Sequence, residues 1–358
     1  TLIHTRLSIL DLDKRSSQPM SSEKSDLIFN GEIYNYLELK KYLKDLNLIT
    51  SSDTEILINL LEHENLNTFN LIEGMWSFAW FNKENSKLIL SRDRFGQKPL
   101  LYYVDDFGNL FFASNIKALQ MISGINFKIN KEKISEFINF GYKFVSKDNK
   151  SFFEKVSYLP SGTFATFDDS NEMKIKSFWN KHEEIEHDMT YQDAVAGTRE
   201  LLIKSVERCL RADVPIAFCL SGGIDSNALI SIAKKVCGYN VHGYTVMNKN
   251  KNYEERELVE STVEFLKIKH SILNVGEGNL LEDLKNAVKG YSGPILTSNY
   301  LEHWKLLRLI KKDGYKVSVS GTGADELFSG YYDHYLYFLA DLCLSGDFLN
   351  FEKEKKLW

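Results

Sequence analysis

The sequence predicts a two-domain chain, with a layered α+β domain over residues 1–185 and a doubly wound parallel α/β domain over residues 186–358. Two patterns carry that expectation. Up to about residue 184 the apolar residues come in short alternating runs broken by turns, the period of half-buried strands, and helical spacing is confined to residues 36–46 and 54–64. Sheets carrying a few helices pack as layers. Beyond Thr190, helical and strand-like segments alternate, which implies parallel strands joined by crossover helices. A length of 358 residues is enough for two hydrophobic cores.

The strand-like runs of the first half are residues 7–10, 26–29, 77–81, 88–91, 100–104, 110–113 and 162–168. Residues 180–188, charged and aperiodic, are the expected linker. The second half then reads as a helix over 191–210, a strand over 214–220, a helix, a strand over 241–246, a helix over 254–266, a strand over 271–275, two helices, and a strand over 317–320. In such a sheet ligands bind beyond the carboxyl ends of the strands. Two glycine-rich strings fall there: Ser221-Gly222-Gly223-Ile224-Asp225-Ser226, and Ser320-Gly321-Thr322-Gly323-Ala324-Asp325-Glu326-Leu327-Phe328.

The first string has the chemistry of a phosphate loop. Glycines let the backbone approach a ligand closely, while Ser221, Ser226 and the free amides of a helix N-terminus point donors at an anion. It is neither the Walker loop nor the dinucleotide fingerprint. An aspartate inside such a loop repels the phosphate unless a divalent cation lies between them, so Asp225 reads as a Mg²⁺ contact. The structural alternative, a plain Ser-Gly-Gly turn, does not account for the whole string behind a strand.

With 43% hydrophobic and 26% charged residues, the composition is that of a globular protein. A net charge of −5 gives no electrostatic footprint for nucleic acid, and neither a membrane-spanning run nor a leader pattern occurs, which makes the cytoplasm the default compartment. Cys209, Cys219, Cys237 and Cys343 show no paired metal spacing and read neither as ligands nor as disulfide partners.

The phosphate string resembles the pyrophosphatase loop of enzymes that cleave ATP between its α and β phosphates to activate a carboxylate as an adenylate. The second glycine string, with Gly330 and Tyr331, resembles the matching segment of glutamine-hydrolysing asparagine synthetases. Asn30-Gly31-Glu32-Ile33-Tyr34-Asn35, Ser52-Asp53-Thr54-Glu55 and Ser91-Arg92-Asp93-Arg94-Phe95-Gly96-Gln97-Lys98-Pro99-Leu100 are similar to that family's glutaminase domain. The resemblance runs from Thr1 to Tyr331. It implies an N-terminal-nucleophile αββα fold for residues 1–185, and an adenine nucleotide α-hydrolase-like fold for residues 186–358.

The resemblance also implies roles. Arg6 holds the α-carboxylate of glutamine, for which a guanidinium gives a bidentate fit, and Glu32 and Asp53 face its α-ammonium. Asn30, by its side-chain amide, and Gly31, by its backbone N–H, form the oxyanion hole. Ser221, Gly222, Gly223, Asp225 and Ser226 grip the pyrophosphate of ATP, Val246 and Gly321 approach the nucleotide, and Asp225 with Asp325 holds Mg²⁺. Residues 92–100 are expected to be mainly a structural turn. Each of these residues has a bland reading as well, Asn-Gly as a turn, Ser-Asp as a helix cap, Asp325 as a first-turn acid and Arg6 as a surface ion-pair partner.

The family's nucleophilic cysteine is expected ahead of Thr1 and the rest of the synthetase domain beyond Trp358, so the chain is expected to be an internal fragment without the nucleophile. Thr322 stands where the family carries an acid, and threonine cannot serve as a base at neutral pH. The expected partners are therefore glutamine, ATP and a carboxylic acid acceptor, aspartate or a related carboxylate such as a sugar acid. A homodimer and a non-catalytic regulatory homologue remain open alternatives. A nucleic-acid-modifying adenylating enzyme is the reading least favoured by the charge.

Overall fold

The computed structural model describes residues 1–43, 46–141, 148–168, 172–179, 189–248, 255–276 and 278–357. The expected linker at 180–188 lies outside them. In chain order the first elements are β1 (Met20–Ser21), β2 (Ser25–Ile33), α1 (Tyr36–Lys40), α2 (Asp53–Glu64), α3 (Thr68–Leu71), β3 (Gly74–Asn82), β4 (Lys87–Arg92), β5 (Leu101–Val104) and β6 (Leu110–Ala113). There follow α4 (Ile116–Ser123), α5 (Lys131–Phe140), β7 (Ser157–Tyr158), β8 (Thr163–Phe167), β9 (Lys174–Ser177), α6 (Tyr191–Cys209), β10 (Ile216–Cys219), α7 (Ile224–Ser231) and β11 (His242–Met247). The last are α8 (Arg256–Leu266), β12 (Lys269–Asn274), α9 (Leu280–Tyr291), α10 (Ser298–Lys312), β13 (Val317–Val319), α11 (Ala324–Phe328), α12 (Tyr332–Leu344) and α13 (Phe348–Leu357). They fall into two compact units, Thr1–Pro215 with Gly276–Val317, and Ile216–Val275 with Ser318–Trp358.

The first unit contains a six-stranded sheet in the order β1-β2-β3-β4-β8-β9 and a three-stranded sheet in the order β6-β5-β7. Its layering follows from side-chain alternation. On β3, Trp76, Phe78 and Trp80 turn to one face and pack with Leu27, Phe29 and Ile33 of β2 and with Ile56, Leu57, Leu60 and Leu61 of α2. Ala79 turns to the other face, where it meets Leu90 and Ala165 and, from the small sheet, Tyr102, Leu110 and Phe112. The far face of the small sheet places Leu101 and Tyr103 against Ile116 and Leu119 of α4. The order helix, sheet, sheet, helix is the expected αββα arrangement.

Helix α2 starts where its cap dictates: Ser52 Oγ accepts the Thr54 N–H at 3.1 Å, and Asp53 and Glu55 occupy the first turn, where acids favour the helix dipole. Two expected elements differ. Residues 7–10 join no strand ladder, because Arg6 takes the Leu10 carbonyl, and Lys316 and the Asp213 N–H, from distant segments, take those of Ser8 and Ile9. The helix expected over 36–46 stops at Lys40, with residues 44–45 outside the described ones, and turns seat Leu43 beside Leu39 of α1 in the core.

The second unit carries the sheet β12-β11-β10-β13, in which β10, β11 and β12 run parallel, as the alternating pattern implied. Its core is apolar on both faces of β10, with Ile216, Ala217 and Phe218 all buried. Among the described residues no helix is long and apolar enough to cross a membrane.

Candidate functional site

In the first unit, Arg6, Asn30, Gly31, Glu32 and Asp53 all line one cavity of about 950 Å³. Its walls include Ile28 and Ala79 from the large sheet and Leu110 and Phe112 from the small one. Sequence-distant strings therefore converge because β2 and the start of α2 border the same space. A bond from the Ile33 N–H to Asp53 Oδ2, 2.9 Å long, locks the two together. At Gly31 a Cβ would lie 2.1 Å from the Met75 carbonyl oxygen and 2.8 Å from Trp76 Cα, so only glycine lets β2 pass β3 there. Asn30 Nδ2 reaches Ser114 Oγ at 3.4 Å.

The electrostatics of the cavity are set by its two acids. Asp53 is buried and Glu32 partly buried. Burial raises the Glu32 carboxyl far above the usual range, the Asp53 charge raises it further, and the positive charges of Lys98 and Arg6 only partly offset this. Asp53 is also raised by burial, against the pull of the Ile33 and Thr54 N–H groups and of Ser52. Among the described residues Glu32 Oε2 has no hydrogen-bond partner. Of the pair, Glu32 is the one pushed further toward its protonated form.

Arg6 is aimed by the backbone. Its Nη1 donates to the Asp13 carbonyl at 3.1 Å, and its Nη2 donates to the Leu10 and Asp11 carbonyls at 2.7 and 2.5 Å. A guanidinium has five N–H donors, so two remain for a ligand.

Lys98 also lines the cavity, a residue the sequence pattern does not single out. The segment before it folds around the buried Asp93, which accepts N–H bonds from Trp76, Phe95, Gln97 and Lys98. Arg92 closes the same turn on the Gly96, Lys98 and Leu159 carbonyls. The turn is structural, and its product is a half-buried ammonium whose pKa burial lowers and the nearby Glu32 and Asp93 partly restore.

In the second unit the phosphate string leaves β10 and enters α7 already organised. Ser226 Oγ accepts the Ser221 N–H at 3.1 Å and lies 3.2 Å from the Gly223 carbonyl, and Ser221 Oγ accepts the Gly223 N–H at 3.2 Å. Asn227 Nδ2 clamps the Ser221 and Gly223 carbonyls at 2.9 and 2.7 Å, and Thr262 holds Asn227. The Gly222 N–H donates to Glu255 Oε2 at 2.6 Å, so a carboxylate occupies an amide of the loop. Neither Asn227 nor Glu255 belongs to the string, and Glu255 leaves no signal in the sequence.

The second glycine string meets the first. A Cβ on Gly321 would stand 3.1 Å from both Asp225 Cβ and the Ser226 N, so the close approach requires glycine. Val246 lies near the carboxyl end of β11. Asp325 turns its carboxyl toward Gly330, whose N–H donates to the Asp325 carbonyl at 2.9 Å. Among the described residues no group of three or more metal-ligating side chains forms. The described residues therefore form no all-protein cage for a divalent cation. Thr322 is exposed and accepts from Ser320 Oγ at 3.2 Å.

Because the folded protein holds a proton on Glu32 that an unfolded chain has released above about pH 4.3, stability falls as pH rises through that window. Glu32→Gln keeps the shape without the ionisation. Its thermal midpoint is expected to exceed that of the parent at pH 8 by roughly 2–4 °C for each kcal/mol of relief, with a flatter pH profile in thermal denaturation. A variant less stable than the parent at pH 8 would contradict the assignment.

Comparison with known proteins gives the family. The family model for a glutamine amidotransferase domain matches residues 1–179, and that for asparagine synthase matches residues 197–345. Glutamine-hydrolysing asparagine synthetase 2 of Bacillus subtilis is 33% identical over 343 residues, covering 91% of this chain and 45% of that one. Asparagine synthetase 1 of the same organism is 30% identical over 331 residues, covering 91% and 51%. An amidase of Gibberella zeae is 27% identical over 348 residues, covering 92% and 51%. The chain spans about half the length of these curated relatives. It belongs to the glutamine-hydrolysing asparagine synthetase family, with a glutamine amidotransferase domain followed by an asparagine synthase domain.

Proposed function

We propose that the protein is an ATP-dependent amide ligase that takes its nitrogen from glutamine, working on small molecules in the cytoplasm. The observation that carries this reading is the convergence of Arg6, Asn30, Gly31, Glu32 and Asp53 on one cavity. Free glutamine brings an α-carboxylate, an α-ammonium and a side-chain amide. Arg6 answers the first, the acidic pair of Glu32 and Asp53 answers the second, and the Asn30 side-chain amide with the Gly31 N–H stabilises the oxyanion that develops on the third. The family resemblance implies a cysteine as the attacking group, and none of Cys209, Cys219, Cys237 and Cys343 lines the cavity. Burial also raises the Cys209 and Cys219 thiols, which disfavours the reactive thiolate.

In the asparagine synthase domain the acceptor carboxylate attacks the α-phosphorus of ATP, giving an acyl-adenylate and pyrophosphate. Ammonia then attacks the acyl carbon and AMP departs with the former carboxylate oxygen. Ser221, Gly222, Gly223 and Ser226 hold the pyrophosphate portion, and Val246 and Gly321 border the nucleotide. Asp225 and Asp325 would hold Mg²⁺, which would neutralise phosphate charge. The domain boundary near residue 185 follows from the same reading.

A second reading of the acceptor rests on Thr322. Where the family has an acid, a threonine cannot take the proton from attacking ammonia, a role that typically contributes ~10²–10⁴-fold. The acceptor is then a carboxylic acid other than aspartate, in keeping with a relative named as an amidase.

Two experiments on the natural full-length protein test this. With ATP, Mg²⁺ and a panel of carboxylic acids, Asp53→Asn is expected to cut the glutamine-driven rate at least tenfold and leave the ammonium-driven rate unchanged, while Asp225→Ala abolishes pyrophosphate release with either donor. Equal loss of both rates in Asp53→Asn would make that residue structural, and rapid asparagine formation would restore aspartate as acceptor. In the second, Glu255→Ala frees the Gly222 N–H for an anion and is expected to tighten pyrophosphate binding by roughly five- to tenfold, read by calorimetry. Weaker binding would show that Glu255 assists the ligand.

A further inference from the structure

The turn that aims Arg6 is itself fixed by residues outside the glutamine amidotransferase match. The Asp213 N–H donates to the Ile9 carbonyl at 3.0 Å, and Asp213 Oδ2 accepts the Asp11 N–H at 2.7 Å, a reciprocal pair. Lys316 Nζ donates to the Ser8 carbonyl at 3.0 Å. Asp213 and Lys316 lie within residues 197–345, matched by the asparagine synthase family model, yet both belong to the first compact unit.

Asp11 has φ of 51°, a left-handed conformation that a non-glycine residue adopts only when its surroundings hold it there. Its carboxyl accepts the Asp13 and Ser51 N–H groups at 3.0 and 2.8 Å, and its own N–H goes to Asp213. Ser51 leads directly into the cap that places Asp53. The carbonyls that the turn presents, those of Leu10, Asp11 and Asp13, are the three that receive Arg6. Removing the Asp213 carboxyl strands the Asp11 N–H and loosens that conformation, and with it the direction of the guanidinium. The negative charge of Asp213 is also felt at Glu32.

We infer that Asp213 is a positioning residue for amino-acid recognition in the cavity: it sets the turn at residues 9–13 that directs Arg6 at the α-carboxylate of the ligand. This rests on the glutamine reading given above. A residue of the asparagine synthase match thereby tunes how well the neighbouring domain holds its substrate.

The test uses the natural full-length protein and two amides, L-glutamine and 4-aminobutyramide, which keeps the ammonium and the amide and lacks the α-carboxylate. In Asp213→Ala the KM for L-glutamine is expected to rise about tenfold, with kcat within about twofold and the weak hydrolysis of 4-aminobutyramide unchanged. Asp213→Asn, whose amide oxygen still accepts the Asp11 N–H, is expected to retain most of the parent's preference. Equal losses with both amides, a fall in kcat at unchanged KM, or an unaltered KM in Asp213→Ala would overturn the inference and leave the glutamine reading standing. A parent protein that does not prefer L-glutamine over 4-aminobutyramide would sink the glutamine reading itself, and the inference with it.

Discussion

Two carboxyl groups buried in one cavity constrain the first unit more than any other feature. A buried anion without a counter-charge costs several kcal/mol or gives up its charge. Asp53 is stabilised by the Ile33 N–H, by Ser52 and by the first turn of α2, which ties its position to the end of β2. Glu32 has no such help and is pushed toward its protonated form instead. The arrangement is tolerable because Arg6 and Lys98 stand near, each positioned by a turn with its own hydrogen-bond economy. In the proposed function an entering ligand ammonium offsets that cost. Stability is thus lowered at a place where binding recovers it, a trade that functional sites often show.

The second unit follows a different principle. Its glycine loop at Ser221–Ser226 is held by its own hydrogen bonds: hydroxyls, an asparagine and a threonine satisfy the backbone, and a glutamate lies on the Gly222 amide. A loop held this way loses little conformational entropy on binding. Its cost is the displacement of the Glu255 carboxylate by an incoming anion.

Much of this was legible in the sequence, because the informative signals were local. The alternation on β2 and β3, the Ser52 cap of α2 and the strand before Ser221 each depend on neighbours a few residues away. The strings at Asn30, Asp53 and Ser221 each carry their chemistry within six residues. What was not legible depends on distant partners. Residues 7–10 alternate like a strand, yet side chains from Arg6 and Lys316 and the Asp213 N–H claim their carbonyls. Lys98 hides in a string dominated by turn signals, and only the fold around Asp93 shows that the turn delivers an ammonium to a cavity. Glu255 reaches Gly222 from 33 residues away, and Asp213 reaches Asp11 from 202.

In the proposed function the cavity recognises an ammonium and a carboxylate, and Glu32, raised by burial, gives up its proton as an amino acid enters. Calorimetric titration of the protein with L-glutamine near pH 7, in buffers of differing ionisation enthalpy, counts the protons exchanged on binding. Release of about one proton per ligand is expected, since an entering α-ammonium stabilises the ionised form of Glu32. Binding with no proton exchange, or with proton uptake, would contradict it.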